Sequence, residues 1–303
     1  MARNVTNIAA SVHQRLLNRA RETGRPFDEV LQHFAIERFL YRLSKSPHAD
    51  RFILKGALML SVWGGAGSRP TKDIDFLGHI DNSLDYIAEA MSEVCETNVE
   101  ADGMLYDGDS VAATRITEDA AYHGVRVRLK AALGKARISM QVDVGIGDVL
   151  FPEPQGVEYP ALLDFPRARL KGYAMESSIA EKFQAMIVLG ILNSRMKDFY
   201  DIWMLSRTYD FEGEALAGAI EKTFEARNTE LTAEATVFDP SFANEAGKQA
   251  QWTAFLRKSN LGDAPSSFSE VVHAVGSFLR PVVRVLAEGG AFDLTWKAPG
   301  PWR

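Results

Sequence analysis

The sequence predicts an α+β fold, in which a mixed sheet flanked by helices is followed by a mostly helical domain. Three observations support this prediction. Apolar residues recur at helical spacing up to residue 45, alternate with polar residues from Met104 to Ile146, and return to helical spacing beyond residue 175. We therefore place the first domain at residues 1–165 and the second at residues 166–303.

The elements can be assigned in order along the chain. Gly24-Arg25-Pro26 separates two helices, which form an N-terminal helical hairpin. The alternating stretch predicts antiparallel strands, two of which meet at the two-residue turn Leu133-Gly134. Four prolines between residues 152 and 166 predict a linker. The predicted helices are 7–22, 27–45, 58–63, 84–96, 175–189, 196–208, 212–226 and 268–287, and the first two strands are 52–54 and 73–76.

The composition is that of a globular protein. The 303 residues are 46% hydrophobic and 24% charged, and Cys95 is the single cysteine, which excludes an intramolecular disulfide and a cysteine-based zinc site. The N-terminus lacks the apolar core of a signal peptide. The longest uncharged apolar stretch, residues 183–194, is shorter than the roughly 20 residues needed to cross a bilayer. We expect a cytoplasmic protein with no membrane partner.

The charge is unevenly distributed. A formal net charge of −6 argues against a protein that coats nucleic acid by bulk attraction. Residues 1–45 nevertheless hold eight Arg and Lys against four acids, and residues 122–138 hold five basic residues and no acid. These two segments could bind a polyanion or simply form solvated faces.

Three aspartates indicate a metal-dependent reaction. Asp73 and Asp75 share one face of a strand. Two carboxylates at so short a distance repel each other unless a cation such as Mg²⁺ lies between them. Upstream, Gly56-Ala57 opens a helix whose free N–H groups suit a phosphate, and downstream Asp143 supplies a third strand carboxylate. The combination predicts a two-metal phosphoryl or nucleotidyl transfer site. Alone, the first pair could be a solvated strand edge and the third acid a strand-end residue bonded to backbone.

The predicted hairpin adds a basic surface. With Leu133-Gly134 as the turn, Lys130 faces Arg137, Arg126 faces Gln141, and the basic row shares a sheet face with Asp143. Like charges opposite each other are destabilising unless an anion binds there. A polyphosphate or an RNA backbone would serve, so Arg126 and Arg128 are predicted substrate-binding residues.

Two other classes of site are excluded by the motifs. The six histidines include no i, i+4 pair, so a zinc hydrolase of that type is excluded. The pattern G-x-x-x-x-G-K-[ST] does not occur, so Gly64 to Ser68 is not a P-loop. The candidate chemistry therefore depends on the aspartates.

At the level of motifs, the chain resembles a known family. Gly56-Ala57 followed by Asp73-Ile74-Asp75-Phe76 is similar to the signature of the polymerase β-like nucleotidyltransferases. More closely, three segments resemble the AbiEii/AbiGii (MenT-type) toxins of type IV toxin–antitoxin systems. They are FILKGALMLSVWGGAGSRPTKDIDF, QVDV and ESSIAEKFQAMIVLGILNSRMKDFYDIWML.

The resemblance implies a bacterial nucleotidyltransferase that uses an NTP and Mg²⁺. It further implies an acceptor at the 3′ end of tRNA, a block of translation, and a cognate antitoxin protein as partner. The second domain would complete the active-site cleft. By position in the motifs, the implied metal ligands are Asp73, Asp75 and Asp143, the other catalytic residues are Lys182 and Asp198, and the substrate-binding residues are Gly56, Ala57, Ser68, Arg69 and Thr71.

Two departures and several alternatives remain. Ala57 stands where the superfamily has Gly or Ser, and the interval from Lys182 to Asp198 is long for the family. Lys182 could instead snorkel along an apolar helix face, and Asp198 could act as a helix-cap acid. Asp201, taken alone, is interpreted as structural. The acceptor could be a protein rather than RNA, or the chain could be a catalytically inactive antitoxin or RNA-binding module.

Overall fold

The structure is a computed structural model that describes residues 7–64, 71–116, 124–232 and 234–303. The chain forms two compact units. Among the described residues, the first consists of residues 7–63, 71–147 and 155–172, and the second consists of residues 64, 148–154 and 173–303. Within the described ranges, no helix has the length and apolar character that a membrane span requires.

The first unit combines helices with a seven-stranded sheet, and the predicted helices and strands are confirmed to within about two residues. Asn7 caps the first helix by accepting a hydrogen bond from the Ala10 N–H, and Gly24 ends it in the left-handed conformation. The helices are α1 (Ile8–Thr23), α2 (Phe27–Lys45), α3 (Leu58–Val62) and α4 (Leu84–Glu96), and the strands are β1 (Phe52–Lys55), β2 (Asp73–Gly78), β3 (Met104–Ile116), β4 (Gly124–Leu133), β5 (Ala136–Ile146), β6 (Gln155–Glu158) and β7 (Arg169–Gly172).

The sheet has the order β3-β4-β5-β2-β1-β7-β6. The pairs β2–β5 and β1–β7 are parallel and the others are antiparallel, which confirms the predicted mixed sheet. Apolar strand residues such as Ile74, Phe76 and Val142 join one core with α1, α2 and α4. Because side chains alternate along a strand, Asp73, Asp75 and Asp143 lie on the other face of the sheet.

The predicted hairpin register is wrong by two residues. The turn is Gly134-Lys135, with Leu133 opposite Ala136, because Gly134 has a φ of +60°. Arg126 therefore faces Asp143 rather than Gln141, and Lys130 faces Ser139 rather than Arg137. The shift is even, so each side chain stays on its predicted face, but the predicted pair of opposed cations does not form.

The predicted linker does not hold for the whole proline-rich stretch. Residues 155–158 form the edge strand β6, which pairs with β7 in the sheet of the first unit. The spacing of Pro152, Pro154, Pro160 and Pro166 leaves room for this strand, since proline is tolerated at strand ends and edges.

Part of the basic N-terminal segment is structural. Arg38 Nε and Arg42 NH1 lie 2.9 and 2.7 Å from Asp102 Oδ2, and all three side chains are buried. Two of the eight basic residues in that segment therefore fasten α2 to the chain before β3 and cannot meet a polyanion at the surface.

The second unit is mostly helical, as predicted. Phe183, Phe199 and Phe268 belong to its buried core, and Phe211 of a small two-stranded sheet pairs with Trp296. The sequence analysis did not identify the small sheet or two of the helices. The elements are α5 (Met175–Leu189), α6 (Met196–Thr208), β8 (Phe211–Glu212), α7 (Gly213–Ala226), α8 (Pro240–Ala243), α9 (Ala246–Ser259), α10 (Phe268–Ala287) and β9 (Thr295–Trp296).

Candidate active site

Asp73 and Asp75 open strand β2, and Gly56 fixes the environment of the second. Asp73 is exposed and Asp75 is half-buried, with Ile74 between them in the core. Gly56 has a φ of +69°, and a Cβ placed on it would lie 2.8 Å from Cγ of Asp75. Glycine is therefore required at position 56 both by its backbone conformation and by the close approach of the carboxylate.

Ala57 fits its position although it departs from the superfamily motif. Its φ and ψ are −67° and −23°, an ordinary helical conformation that alanine adopts readily, so the second glycine of the superfamily motif is not needed here. Helix α3, which Ala57 opens, has only five residues, so its dipole contributes little to phosphate binding. Ala57 stays a predicted substrate-binding residue, and only its backbone N–H is expected to contact the phosphate.

Asp143 lies beside Asp75, as the β2–β5 register pairs the two residues. It also faces Arg126 across the β4–β5 register. Arg126 Nε donates to Asp143 Oδ1 and Arg126 NH2 donates to Asp143 Oδ2, both at 2.9 Å, and Gln141 Nε2 lies 3.4 Å from the same Oδ2. The structure thus brings together predicted residues of two different kinds, a metal ligand and a substrate-binding cation.

The fit of a divalent cation follows from these contacts. Asp73 and Asp75 offer hard oxygen ligands on one face of β2. The backbone of Gly56 lies against the Asp75 carboxylate and restricts its position. In the part of the chain that the structure describes, no three His, Cys, Asp or Glu side chains lie close enough together to hold a metal ion. The chemistry of two carboxylates on one strand face fits a divalent cation, and Asp73, Asp75 and Asp143 all stay predicted metal ligands.

The other predicted substrate-binding residues fall into three groups. Thr71 Oγ1 is 3.2 Å from the Asp73 carbonyl oxygen and 3.4 Å from its N–H, which orients the start of β2. Arg128 is exposed on the same sheet face as Arg126 and Asp143. Ser68 and Arg69 lie outside the described residues.

The remaining predicted residues lie in the second unit and form what we call the helix cluster: Lys182 of α5 with Arg195, Asp198 and Asp201 at the start of α6. Lys182 Nζ is 2.9 Å from Asp201 Oδ2 and 3.4 Å from Asp198 Oδ1, and Arg195 Nε is 2.6 Å from Asp198 Oδ2. The two aspartate side chains are at most 1% exposed. Lys182 is 12% exposed, so it is held by carboxylates rather than snorkelling to solvent.

Sequence reasoning missed three charged residues that the structure places beside the predicted ones. Lys55 is buried directly before Gly56 and pairs with Asp75 in the β1–β2 register. Its signal was its position, since a lysine that ends an apolar strand one residue before a required glycine faces the next strand. Asp201 was interpreted as structural, although its i, i+3 spacing from Asp198 already placed both on one helix face. Arg195 carried no signal.

The single cysteine has no place in this chemistry. Cys95 is buried in the core of the first unit, and burial raises the pKa of its thiol to about 12. A thiolate nucleophile is therefore not available at neutral pH.

Comparison with known proteins decides the family. The profile of the family described as nucleotidyl transferase AbiEii toxin, type IV toxin–antitoxin system, matches residues 38–274, which is most of the chain. The chain belongs to the AbiEii family. This confirms the predicted resemblance, and the three strand aspartates as well as the helix cluster of this AbiEii chain lie within the matched residues.

The AbiEii chain shares its fold with a solved structure. It is similar to MenT4, a nucleotidyltransferase toxin from Mycobacterium tuberculosis, with a TM-score of 0.52 and 18% identity over 93% of this chain and 99% of that one. A putative nucleotidyltransferase and JHP933, both from Helicobacter pylori, match with TM-scores of 0.43 and 0.47, each at 15% identity over 83% of this chain and 92% and 89% of theirs. No curated protein is similar enough in sequence to be matched.

Proposed function

We propose that this nucleotidyltransferase toxin transfers a nucleotide from an NTP to an RNA acceptor, at the 3′ end of tRNA, and thereby blocks translation. The observation that carries the proposal is the placement of Asp75 beside Asp143 in adjacent parallel strands, with the Gly56 backbone against the Asp75 carboxylate. This is a strand-built acidic site of the kind that phosphoryl transfer requires.

The residues of this chain have separable roles in such a reaction. Asp73 and Asp75 would hold a divalent cation, which when bound supplies charge stabilisation at the α-phosphate and activates the attacking hydroxyl. Gly56 allows the backbone to lie against the Asp75 carboxylate and so restricts its orientation. In the reaction, the acceptor 3′ oxygen bonds to the α-phosphorus, the bond to the leaving pyrophosphate breaks, and the hydroxyl proton passes to solvent water.

The choice of RNA as acceptor rests on the basic side chains beside the acids. Arg128 and Lys130 are exposed on β4 and follow Arg126 along the same sheet face. Exposed cations on the same sheet face as the acidic site suit the phosphates of a polynucleotide. A protein acceptor would not need these cations. The N-terminal segment also carries exposed basic residues, among them Arg19 and Arg21.

Labelled transfer tests the proposal. The purified chain would be incubated with each α-³²P-labelled NTP in turn, Mg²⁺ and total bacterial RNA, and the products separated by size. We expect label in the tRNA band, and none after periodate oxidation of the RNA, which destroys its 3′-terminal diol. Asp75→Asn is the matched inactive control.

The other outcomes identify the alternatives. Label on protein that survives ribonuclease treatment would replace the RNA acceptor by a protein acceptor. Label on RNA that periodate treatment does not reduce would move the acceptor away from the 3′ end. No label with any NTP, in a preparation shown to be folded, would contradict the transferase and favour a binding module. In a translation extract, the wild-type chain with its NTP should stop protein synthesis and Asp75→Asn should not.

A further inference from the structure

Four charged residues follow one another across four adjacent strands, and we call them the strand row: Lys55 of β1, Asp75 of β2, Asp143 of β5 and Arg126 of β4. Each is the direct register partner of the next. Register partners point to the same face of a sheet, with Cβ atoms about 5 Å apart. Two neighbouring carboxylates are thus flanked on each side by a cation of the chain itself.

The outer pair on β4 and β5 is the most strongly defined. Both oxygens of Asp143 accept from the Arg126 guanidinium at 2.9 Å, and the side chains are only 16% and 19% exposed. A bidentate guanidinium–carboxylate pair is directional and held by two charge-assisted bonds, which a point charge such as lysine cannot reproduce. Arg128, two residues further along the same strand, is by contrast exposed. Arg126 is therefore built into the site rather than displayed on it.

The charge balance of the site shows what this pair replaces. Asp73, Asp75 and Asp143 carry three negative charges, and Lys55 and Arg126 carry two positive charges. One divalent cation turns this total into a single positive charge. Three carboxylates without those two side chains would need two divalent cations to reach the same value, which is the usual two-metal arrangement.

From this geometry we propose that the Arg126 guanidinium is the resident cation of Asp143, and that the protein holds one divalent cation, on Asp73 and Asp75, instead of two. The inference rests on the proposed nucleotidyl transfer and specifies the charge arrangement of its site. Arg126 is a positioning residue for Asp143 and supplies a fixed positive charge. Asp143 orients the guanidinium and is not a metal ligand, which revises its predicted role.

Counting bound Mn²⁺ tests this directly and needs no turnover. The probe is Mn²⁺ alone, titrated into the full chain, with free Mn²⁺ measured by electron paramagnetic resonance. We expect one ion per wild-type chain and at least about tenfold weaker binding for Asp75→Asn, since even outer-shell changes cost this much. Arg126→Met should gain a second, weaker ion, because Asp143 is then available. Arg126→Met/Asp143→Asn should return to one.

Two further variants keep the test decisive. Arg128→Met, on the same strand and face, is the matched control and should leave the count at one. If Arg126→Met does not fold, Asp143→Asn alone decides: it keeps an oxygen for Arg126, and we expect the wild-type count and affinity. Loss of an ion or at least about tenfold weaker binding in Asp143→Asn would make Asp143 a ligand and overturn the proposal.

Failure of this inference is distinguishable from failure of the proposed function. Two Mn²⁺ ions per wild-type chain, together with label transferred to RNA, would overturn the role of Arg126 and leave the function standing. The expected Mn²⁺ counts with no label on RNA would support the role of Arg126 and overturn the acceptor. Absence of any bound Mn²⁺ in the wild type would overturn the proposal, because Asp73 and Asp75 would then hold no divalent cation.

Discussion

The strand row of the first unit and the helix cluster of the second unit both combine aspartates with basic side chains, but they differ in exposure. Asp143 and Arg126 retain 16% and 19% of their exposed surface, whereas Asp198 and Asp201 retain at most 1%. A partly exposed charge can exchange its partner for a substrate or ion at moderate cost. A fully buried carboxylate depends on its cation for folding, since an unpaired buried charge costs several kcal/mol.

The comparison separates two meanings of an essential residue. Substitution of Asp75 in the strand row should reduce turnover and leave stability nearly unchanged. Substitution of Lys182 in the helix cluster should reduce both, so a loss of turnover there does not by itself identify a catalytic group.

The largest expected effect is on turnover in the strand row. Asp75→Asn should lower the rate of nucleotide transfer by about 10³-fold or more, the upper end of the loss on removing one electrostatic stabiliser. Its free energy of unfolding should change little, because the repulsion removed between two neighbouring carboxylates offsets the loss of the negative charge that faces Lys55. Rates from single-turnover assays and chemical denaturation measure the two quantities.

A matched acid provides the control for that substitution. Asp107 of β3 is exposed and faces Lys130 in the register of the same sheet, and Asp107→Asn should retain the wild-type rate. Undiminished transfer by Asp75→Asn at saturating Mg²⁺ would remove it from the site.

The next effect is on stability in the helix cluster. Lys182→Met takes a cation away from two buried carboxylates and should lower the free energy of unfolding by about 3–5 kcal/mol. Lys182→Met/Asp201→Leu replaces the pair by apolar side chains and should recover stability to within about 1–2 kcal/mol of the wild type. Urea denaturation of the four chains of this cycle, including Asp201→Leu, gives the coupling free energy.

The same double variant tests the predicted nucleotide role of Lys182. If Lys182 meets the nucleotide phosphates, the folded double variant should transfer nucleotide about 10²-fold more slowly or worse, and its RNA affinity without NTP should match the wild type. Asp201→Asn alone is the control and should retain turnover. Wild-type rates in the folded double variant would assign Lys182 to folding.

A buried acid without a tight cation partner sharpens the comparison through pH. Glu37 of α2 accepts the Leu162 N–H at 2.7 Å, but Arg38 NH1 lies 3.7 Å from its other oxygen, and burial raises the pKa of Glu37 to about 7. Folding thus favours its protonated form. Its contribution to stability is full below about pH 4.5 and is lost as pH rises through about 7, by at most about 3 kcal/mol.

His33, one turn earlier, has the opposite slope. Its ring accepts from or donates to the Tyr159 hydroxyl at 3.0 Å, and burial, with a smaller effect of Arg25, lowers its pKa to about 4. Folding favours the neutral ring. The free energy of unfolding therefore rises between about pH 4, the pKa of His33 in the folded chain, and 6.5, its pKa in the unfolded chain. The two slopes oppose each other in the wild type. Glu37→Gln should unmask a rise of about 2 kcal/mol between pH 4.5 and 6.5, and an unchanged pH profile would contradict it.

The smallest expected effect is on RNA binding by the exposed end of the basic row. Arg128→Gln/Lys130→Gln should lower the slope of log affinity against log salt by about 0.7 for each phosphate of a single strand that the variant no longer neutralises. Arg257→Gln/Lys258→Gln, at the exposed end of α9, is the matched control and should leave the slope unchanged. An unchanged slope in the first pair would show that RNA binds elsewhere.

Most of the fold could be predicted because its elements follow local periodicity. The helices 27–45, 84–96 and 196–208 begin and end where their apolar spacing does. The strands β6 and β7 could not be predicted in the same way, since each has four residues and the two form only by pairing with each other and with β1. Strand β1 is equally short but could be predicted from its run of apolar residues, which β6 and β7 lack.

The sequence by itself determined the α+β order of elements, the family, and the face of the sheet on which Asp73, Asp75 and Asp143 lie. All of these depend on alternation along one strand or on motifs that are contiguous in the chain. Only the tertiary structure decided which charges meet. The two-residue shift of the hairpin pairs Arg126 with Asp143, and the packing of α5 with α6 buries Asp201 against Lys182. Register and helix packing are set by contacts between residues far apart in sequence, so no local pattern could specify these ion pairs.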